Sequence, residues 1–83
     1  MKIRLKLFAT LRDYLPEGAK TNEIDLDVAD DASVQGVIDH YRLPAKLVHL
    51  VLVNGHYIYP NARAATLLKE GDVLALWPPV AGG

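Results

Sequence analysis

The residues best suited to chemistry stand last in the chain, where Gly82-Gly83 follows Pro78-Pro79-Val80-Ala81. A free glycine carboxylate there is a reacting group on an extended arm. Glycine has no Cβ, so a Gly-Gly end can enter a passage too narrow for other residues. Two prolines continue neither a ladder nor a helix and project the arm from the body. Six residues at roughly 3.3–3.6 Å each span about 20 Å, enough to reach into another protein's active site. The bland alternative is a frayed terminus.

The rest of the chain offers little that could react. His40, His49 and His56 share no metal-ligand spacing, and structural zinc wants four ligands, so no metal site is expected. The chain has no cysteine, which excludes a disulfide, a zinc-thiolate or a thiol nucleophile. Ser33, the only serine, reads as a helix-start residue, so a hydroxyl triad has no support. Asp30-Asp31 reads as a capping, solvated pair, and the six glycines form no phosphate-cradling loop.

Eighty-three residues, 51% hydrophobic and 23% charged, make one ordinary globular domain with no room for a second core. A large internal substrate pocket is not expected in so small a body. Net charge of −1 leaves no basic footprint for nucleic acid. Met1-Lys2-Ile3-Arg4-Leu5-Lys6 alternates charged and apolar residues, unlike a signal peptide. No run approaches the ~20 apolar residues of a membrane span. The expectation is a cytoplasmic protein that meets no membrane and works through its surface or its end.

The elements that must carry the arm follow from periodicity. In residues 2–8, Ile3, Leu5 and Leu7 face one way and Lys2, Arg4, Lys6 and Phe8 the other. Residues 9–20 break the pattern and contain the turn signal Pro16-Glu17-Gly18. A second strand turns Ile24, Leu26 and Val28 inward and Glu23, Asp25 and Asp27 outward. One outer face is basic and the other acidic, so the two strands are expected to be antiparallel neighbours. Asp31 or Ser33 caps a helix between residues 31 and 42, with Val34, Val37, Ile38 and Tyr41 on one face. Leu47 to Val53 reads as a buried strand, Asn54-Gly55 as a hairpin turn and Tyr57-Ile58-Tyr59 as the short return stopped by Pro60. A helical turn is expected near residues 64–68, and a last strand follows Glu70-Gly71-Asp72.

Strand, strand, helix, then three strands is the layout of an α+β fold, the ubiquitin-like β-grasp. It has a mixed four- to five-stranded sheet, one main helix, and first and last strands parallel at its centre. The domain spans 1–77 and a flexible Gly-Gly tail 78–83. Burying Leu74 and Leu76 turns Val73, Ala75 and Trp77 to the outer face, where Phe8 also lies. Phe8 and Trp77 then form an exposed apolar patch at the root of the arm, with Leu68 as a neighbour. The alternative is that both rings tuck under the 9–20 or 61–70 segments. Arg12 is either a solvated loop charge or part of a charged rim around the patch.

Lys-Leu-Phe-Ala-Thr-Leu-Arg (6–12), Val-Asn-Gly (53–55) and Gly-Asp-Val-Leu-Ala-Leu-Trp-Pro-Pro-Val-Ala-Gly-Gly (71–83) resemble the MoaD/ThiS sulfur-carrier family, which includes the small subunit of molybdopterin synthase. The resemblance runs over essentially the whole chain, and the Pro-Pro-Val-Ala-Gly-Gly ending is its most specific part. Members usually carry phenylalanine before the two prolines, where this chain has Trp77. The resemblance implies that an ATP-dependent adenylyltransferase adenylates Gly83, because a carboxylate alone is a poor acyl donor. Persulfide sulfur then gives a C-terminal thiocarboxylate. Ala81 and Gly82 would carry that group into a sulfur-acceptor enzyme such as the large subunit of molybdopterin synthase. The chain itself would be the noncatalytic sulfur donor and bind no cofactor, ATP being used by its activating partner. Sulfur supply for thiamine or another product, a protein modifier joined through Gly83 to lysines, and an inert interaction domain remain the competing functions.

Overall fold

In the computed structural model, which describes residues Met1 to Pro79, the first strand, β1 (Lys2–Leu7), alternates as its sequence requires. Ile3, Leu5 and Leu7 are buried and Lys2 and Arg4 exposed. β2 (Glu23–Asp27) pairs with it antiparallel in a register that sets Lys2 opposite Asp27, Arg4 opposite Asp25 and Lys6 opposite Glu23. The charge complementarity of the two outer faces is therefore realised pair by pair.

Helix α1 (Val34–His40) is shorter than the expected 31–42. Ser33, not Asp31, is its cap: the hydroxyl accepts from the Gly36 amide at 3.0 Å. Backbone carbonyls of a neighbouring segment take two further N-terminal donors, with Val34 N–H donating to Thr66 and Gln35 N–H to Arg63. The helix start is thus held by chain distant in sequence, which shortens the regular part. Val34, Val37 and Ile38 are buried and join Ile3, Leu5, Leu26 and Leu74 in one core, with Tyr41 packed at its margin.

β3 (Leu50–Val53) begins three residues later than Leu47. Residues 44–48 form a turn instead, with Leu47 and Val48 amides bonded to the Pro44 carbonyl. Asn54 and Gly55 both take positive φ, 50° and 83°, which is the backbone of a tight hairpin. The return strand β4 is only His56–Tyr57, one residue earlier than the expected 57–59. A 3-10 turn follows at Pro60–Ala62, ahead of the expected 64–68, with proline at its first position. Proline's fixed φ suits a helical start and its missing N–H costs nothing there.

β5 (Val73–Trp77) enters the middle of the sheet. Strand order is β2-β1-β5-β3-β4, with β1 and β5 parallel and the other pairs antiparallel. Five strands form one mixed sheet; α1 covers one face and leaves the other open. Among the described residues, no helix is long and apolar enough to cross a membrane.

Candidate functional site: the open face at the root of the C-terminal arm

Parallel pairing of β1 with β5 sets Leu7 beside Leu76, and Phe8 N–H donates to the Leu76 carbonyl at 3.2 Å. The residues that follow them along the two strand directions, Phe8 and Trp77, therefore emerge side by side on the open face. Their rings stack with centroids 4.1 Å apart and planes within 5°. Both are half-buried. The rings are neither fully solvated nor tucked away; each shields one face of the other.

β3 continues the apolar surface on the far side of β5. Leu50 pairs with Trp77 and Leu52 with Ala75, and Leu52 pairs with Tyr57 of β4. Paired residues share a face of the sheet, so Leu50, Leu52 and Tyr57 extend the patch. Sequence reading missed these three. A continuous apolar run, Leu50-Val51-Leu52-Val53, hides its alternation, and only burial shows Val51 inside and its neighbours half-exposed. Ala75 lies on the outward face as expected, yet it is buried between Lys6 and Leu52 because its strand is central and its side chain short.

The other half of the open face is ionic. Arg4 Nε donates to Asp25 Oδ1 at 2.9 Å, and Arg4 Nη1 lies 3.4 Å from Glu23. Lys2 meets Asp27 at 3.5 Å and Lys6 meets Glu23 at 3.9 Å. The hydrogen bond from Arg4 holds the Asp25 carboxyl below its ordinary range, and the same bond raises the Arg4 guanidinium. The face is thus divided, charges on β2 and β1, apolar groups on β5, β3 and β4.

Arg12 sits in the 3-10 turn Ala9–Tyr14 that follows Phe8, exposed, while Leu11 anchors the turn in the core. Leu68 does not join the patch. It is 3% exposed, packed in the core, and its amide donates to the Ala32 carbonyl beneath the sheet. Its neighbour Leu67, bridged to Ser33, is the exposed one at 59%. Adjacent residues in extended chain point opposite ways, and here the second leucine faces in.

His49 N–H donates to the Trp77 carbonyl at 3.0 Å, so the root of the arm is tied down as far as β5 extends. Pro78 is buried and Pro79 exposed, which leaves the first residue of the expected 78–83 arm against the body. The expected reacting end, Ala81, Gly82 and Gly83, lies outside the described residues, together with Val80. Among the described residues no group of three His, Cys, Asp or Glu side chains gathers to hold a metal.

A mixed sheet gripping one helix, with an apolar open face beside the departing arm, defines a domain of the ubiquitin-like β-grasp class. The chain belongs to the ThiS family, whose model matches residues 5–83. It is similar to small archaeal modifier protein 3 of Haloferax volcanii, 31% identical over 96 aligned positions covering all of both chains. Similarity extends to the molybdopterin synthase sulfur carrier subunit of Drosophila melanogaster, 24% identical over all of this chain and 92% of that one. Among solved structures it resembles a chain from the complex of subunits 1 and 2 of the molybdopterin-converting factor of Helicobacter pylori, with a TM-score of 0.61, 25% identity and full coverage of this chain and of that one. The family is one of ubiquitin-like sulfur carriers and modifiers.

Proposed function

We propose that this chain carries sulfur as a thiocarboxylate on Gly83 and donates it, as the noncatalytic small subunit of a molybdopterin synthase, to the large subunit that makes the dithiolene. The observation that carries the reading is the stacked Phe8–Trp77 pair at the root of the arm. It gives a partner an apolar anchor beside the segment that must enter its active site. Family membership supports the carrier chemistry, and the similarity to a molybdopterin synthase carrier subunit supports the choice of pathway.

The chemistry runs through partner enzymes. ATP adenylates the Gly83 carboxylate and releases pyrophosphate, so AMP becomes the leaving group. A donor protein's persulfide attacks the acyl carbon and expels AMP. A thiol on that donor then attacks the sulfur bonded to it, leaving a disulfide there and the thiocarboxylate here. Phe8, Trp77 and Arg12 would dock the activating enzyme and the acceptor in turn, in the cytoplasm where both act.

Similarity to a small archaeal modifier protein favours one second reading, conjugation of Gly83 to lysines of other proteins. Mass spectrometry of the protein from its native host separates the two. Terminal oxygen-to-sulfur exchange supports the carrier, and lysine-linked conjugates support the modifier. Extending the chain by one residue past Gly83 must abolish adenylation, read by ATP–pyrophosphate exchange with a matched activating enzyme, because the reacting carboxylate would be displaced. Equal exchange by an untrimmed extended protein would overturn both readings.

A further inference from the structure

Between the end of β2 and helix α1 lies a groove of about 320 Å³. Val28, Ala29, Ala32, Gly36, Val37 and Tyr41 give it an apolar lining, and Asp27 and His40 its polar part. The depression exists because Ala29, Ala32 and Gly36 are small where larger side chains would fill it. Its rim is mostly acidic, with the Met1 and Lys2 ammonium groups meeting Asp30 and Asp27. From Thr21 to Tyr41 the chain has six acidic residues and no lysine or arginine, although the whole protein has a net charge of only −1.

The acidic residues differ in how far they are neutralised. Glu23 and Asp25 are engaged by Arg4 on the open face. Asp27 meets Lys2 at 3.5 Å with its side chain still 83% exposed, and Asp30 meets the Met1 ammonium with its side chain 96% exposed. Asp31 is exposed and has no ionic partner among the described residues. The groove therefore presents an apolar floor beside accessible carboxylates.

We propose that this groove docks a basic segment of a partner protein, which inserts an aliphatic or aromatic side chain and sets lysine or arginine against Asp27, Asp30 and Asp31. The charge selects the class of occupant. Nucleic acid and anionic lipid would be repelled, whereas a cationic segment is drawn in and oriented. A second copy of the chain, which offers exposed Arg12, Lys20, Arg42, Lys46 and Lys69, is the competing occupant. Groove shifts that grow with protein concentration in the absence of peptide would overturn the proposal.

The location gives the site a use distinct from that of the open face. Val28 N–H donates to the Met1 carbonyl, so the groove lies where β1 begins. The arm leaves where the parallel strands β1 and β5 finish, six strand residues away, or about 20 Å. A partner can hold the groove while the arm and the open face are engaged by another protein. The proposal does not depend on which acceptor receives the sulfur.

The test is a titration of the isotopically labelled protein with a synthetic peptide of alternating lysine and leucine, followed by amide chemical shifts at low and moderate salt. Expected are saturable shifts centred on Ala29, Ala32, Gly36 and His40, weakened by salt. Asp31→Lys should weaken binding about fivefold by turning one attraction into a repulsion. Ala29→Trp should abolish binding by filling the groove, with unchanged shifts at Phe8 and Trp77 reporting an intact fold. A matched peptide of glutamate and leucine should not bind. Equal binding of both peptides, shifts centred on Phe8, Trp77 and Leu50, no shift at millimolar peptide, or full binding by Ala29→Trp would each overturn the proposal.

Discussion

Phe8 and Trp77, 69 residues apart in sequence, lie face to face with ring centroids 4.1 Å apart. The parallel register of β1 and β5 makes them neighbours, and the helix-free face leaves them open to a partner. Truncating either to alanine removes half-buried ring area and the stacking term, which for aromatic pairs is about 0.5–1.5 kcal/mol. Phe8→Ala and Trp77→Ala should each lower stability by roughly 1–2 kcal/mol and leave the protein folded. Each should weaken docking to the activating enzyme by about 2 kcal/mol or more, as loss of a central anchor does. Urea unfolding followed by circular dichroism and a binding isotherm read the two effects separately. Unchanged affinity would remove the open face from the docking reaction, whereas unfolding would mean that the rings are core.

Arg4 and Asp25 make the closest ionic contact on the open face, 2.9 Å, with both side chains about half exposed. Hydrogen bonding from Arg4 lowers the folded-state pKa of Asp25. A depressed carboxyl contributes stability that is present above the unfolded pKa, near 3.9. That contribution is lost as pH falls through the folded value. The raised Arg4 pKa contributes stability that is lost only as pH rises far into the alkaline range, and so leaves the neutral range untouched. Asp25→Asn should therefore be slightly less stable than the parent at pH 7. The gap should close below about pH 4 and also narrow with added salt. Urea midpoints for both proteins from pH 7 to pH 2 measure it; a gap independent of pH would show that the pair adds nothing as an ion pair.

Alternation made β1 and β2 readable to the residue, because each has one wet and one dry face and a single-residue slip would expose Leu5 or bury Arg4. The helix face was readable for the same reason at its own period. Boundaries were not. Thr66 and Arg63 carbonyls hold the start of α1, and Pro44 turns residues 47–48 away from β3. Neither contact leaves a local trace. The patch was half legible: the parity of Phe8 and Trp77 showed. Leu50 and Leu52 did not, because the run Leu50-Val51-Leu52-Val53 is apolar on both faces of its strand, and Tyr57 did not, because its edge strand is only two residues long. Leu67 and Leu68 stand next to each other with no alternating neighbours, so nothing local says which faces in. Their bonding to Ser33 and Ala32 decides it.

Asn54 does more than turn the hairpin. Its side-chain amide donates to Asp72 Oδ1 at 2.8 Å and its side-chain oxygen accepts from Val73 N–H at 2.8 Å. Asp72 also accepts from the Lys69 amide, so the hairpin tip is clasped to the turn that launches β5. Asn54→Ala loses both side-chain bonds and forces a Cβ residue without a polar tip into φ of 50°. It should cost roughly 2–3 kcal/mol. Asn54→Gly keeps the backbone comfortable and loses only the bonds, so its cost should be about 1 kcal/mol smaller. Urea midpoints of the two variants give the order, and equal losses would assign the whole effect to the clasp.

Among the described residues, Arg63 is the one polar or charged side chain in the buried set, 7% exposed. Its Nη2 donates to the His49 carbonyl at 3.2 Å, immediately before β3, while its buried Nε has no partner among the described residues. Its own carbonyl accepts from the Gln35 amide at the start of α1. The residue thus joins helix and sheet by backbone and side chain together, at the desolvation cost of a guanidinium. Arg63→Met keeps most of the aliphatic stem and removes the charge, trading one lost hydrogen bond against relief of that desolvation. It should change stability by less than about 1 kcal/mol in either direction. Arg63→Ala also removes the stem and should cost roughly 2–4 kcal/mol. Urea unfolding at pH 7 discriminates. If methionine is as damaging as alanine, the hydrogen bond to His49 and not the buried stem is what holds β3 to the body.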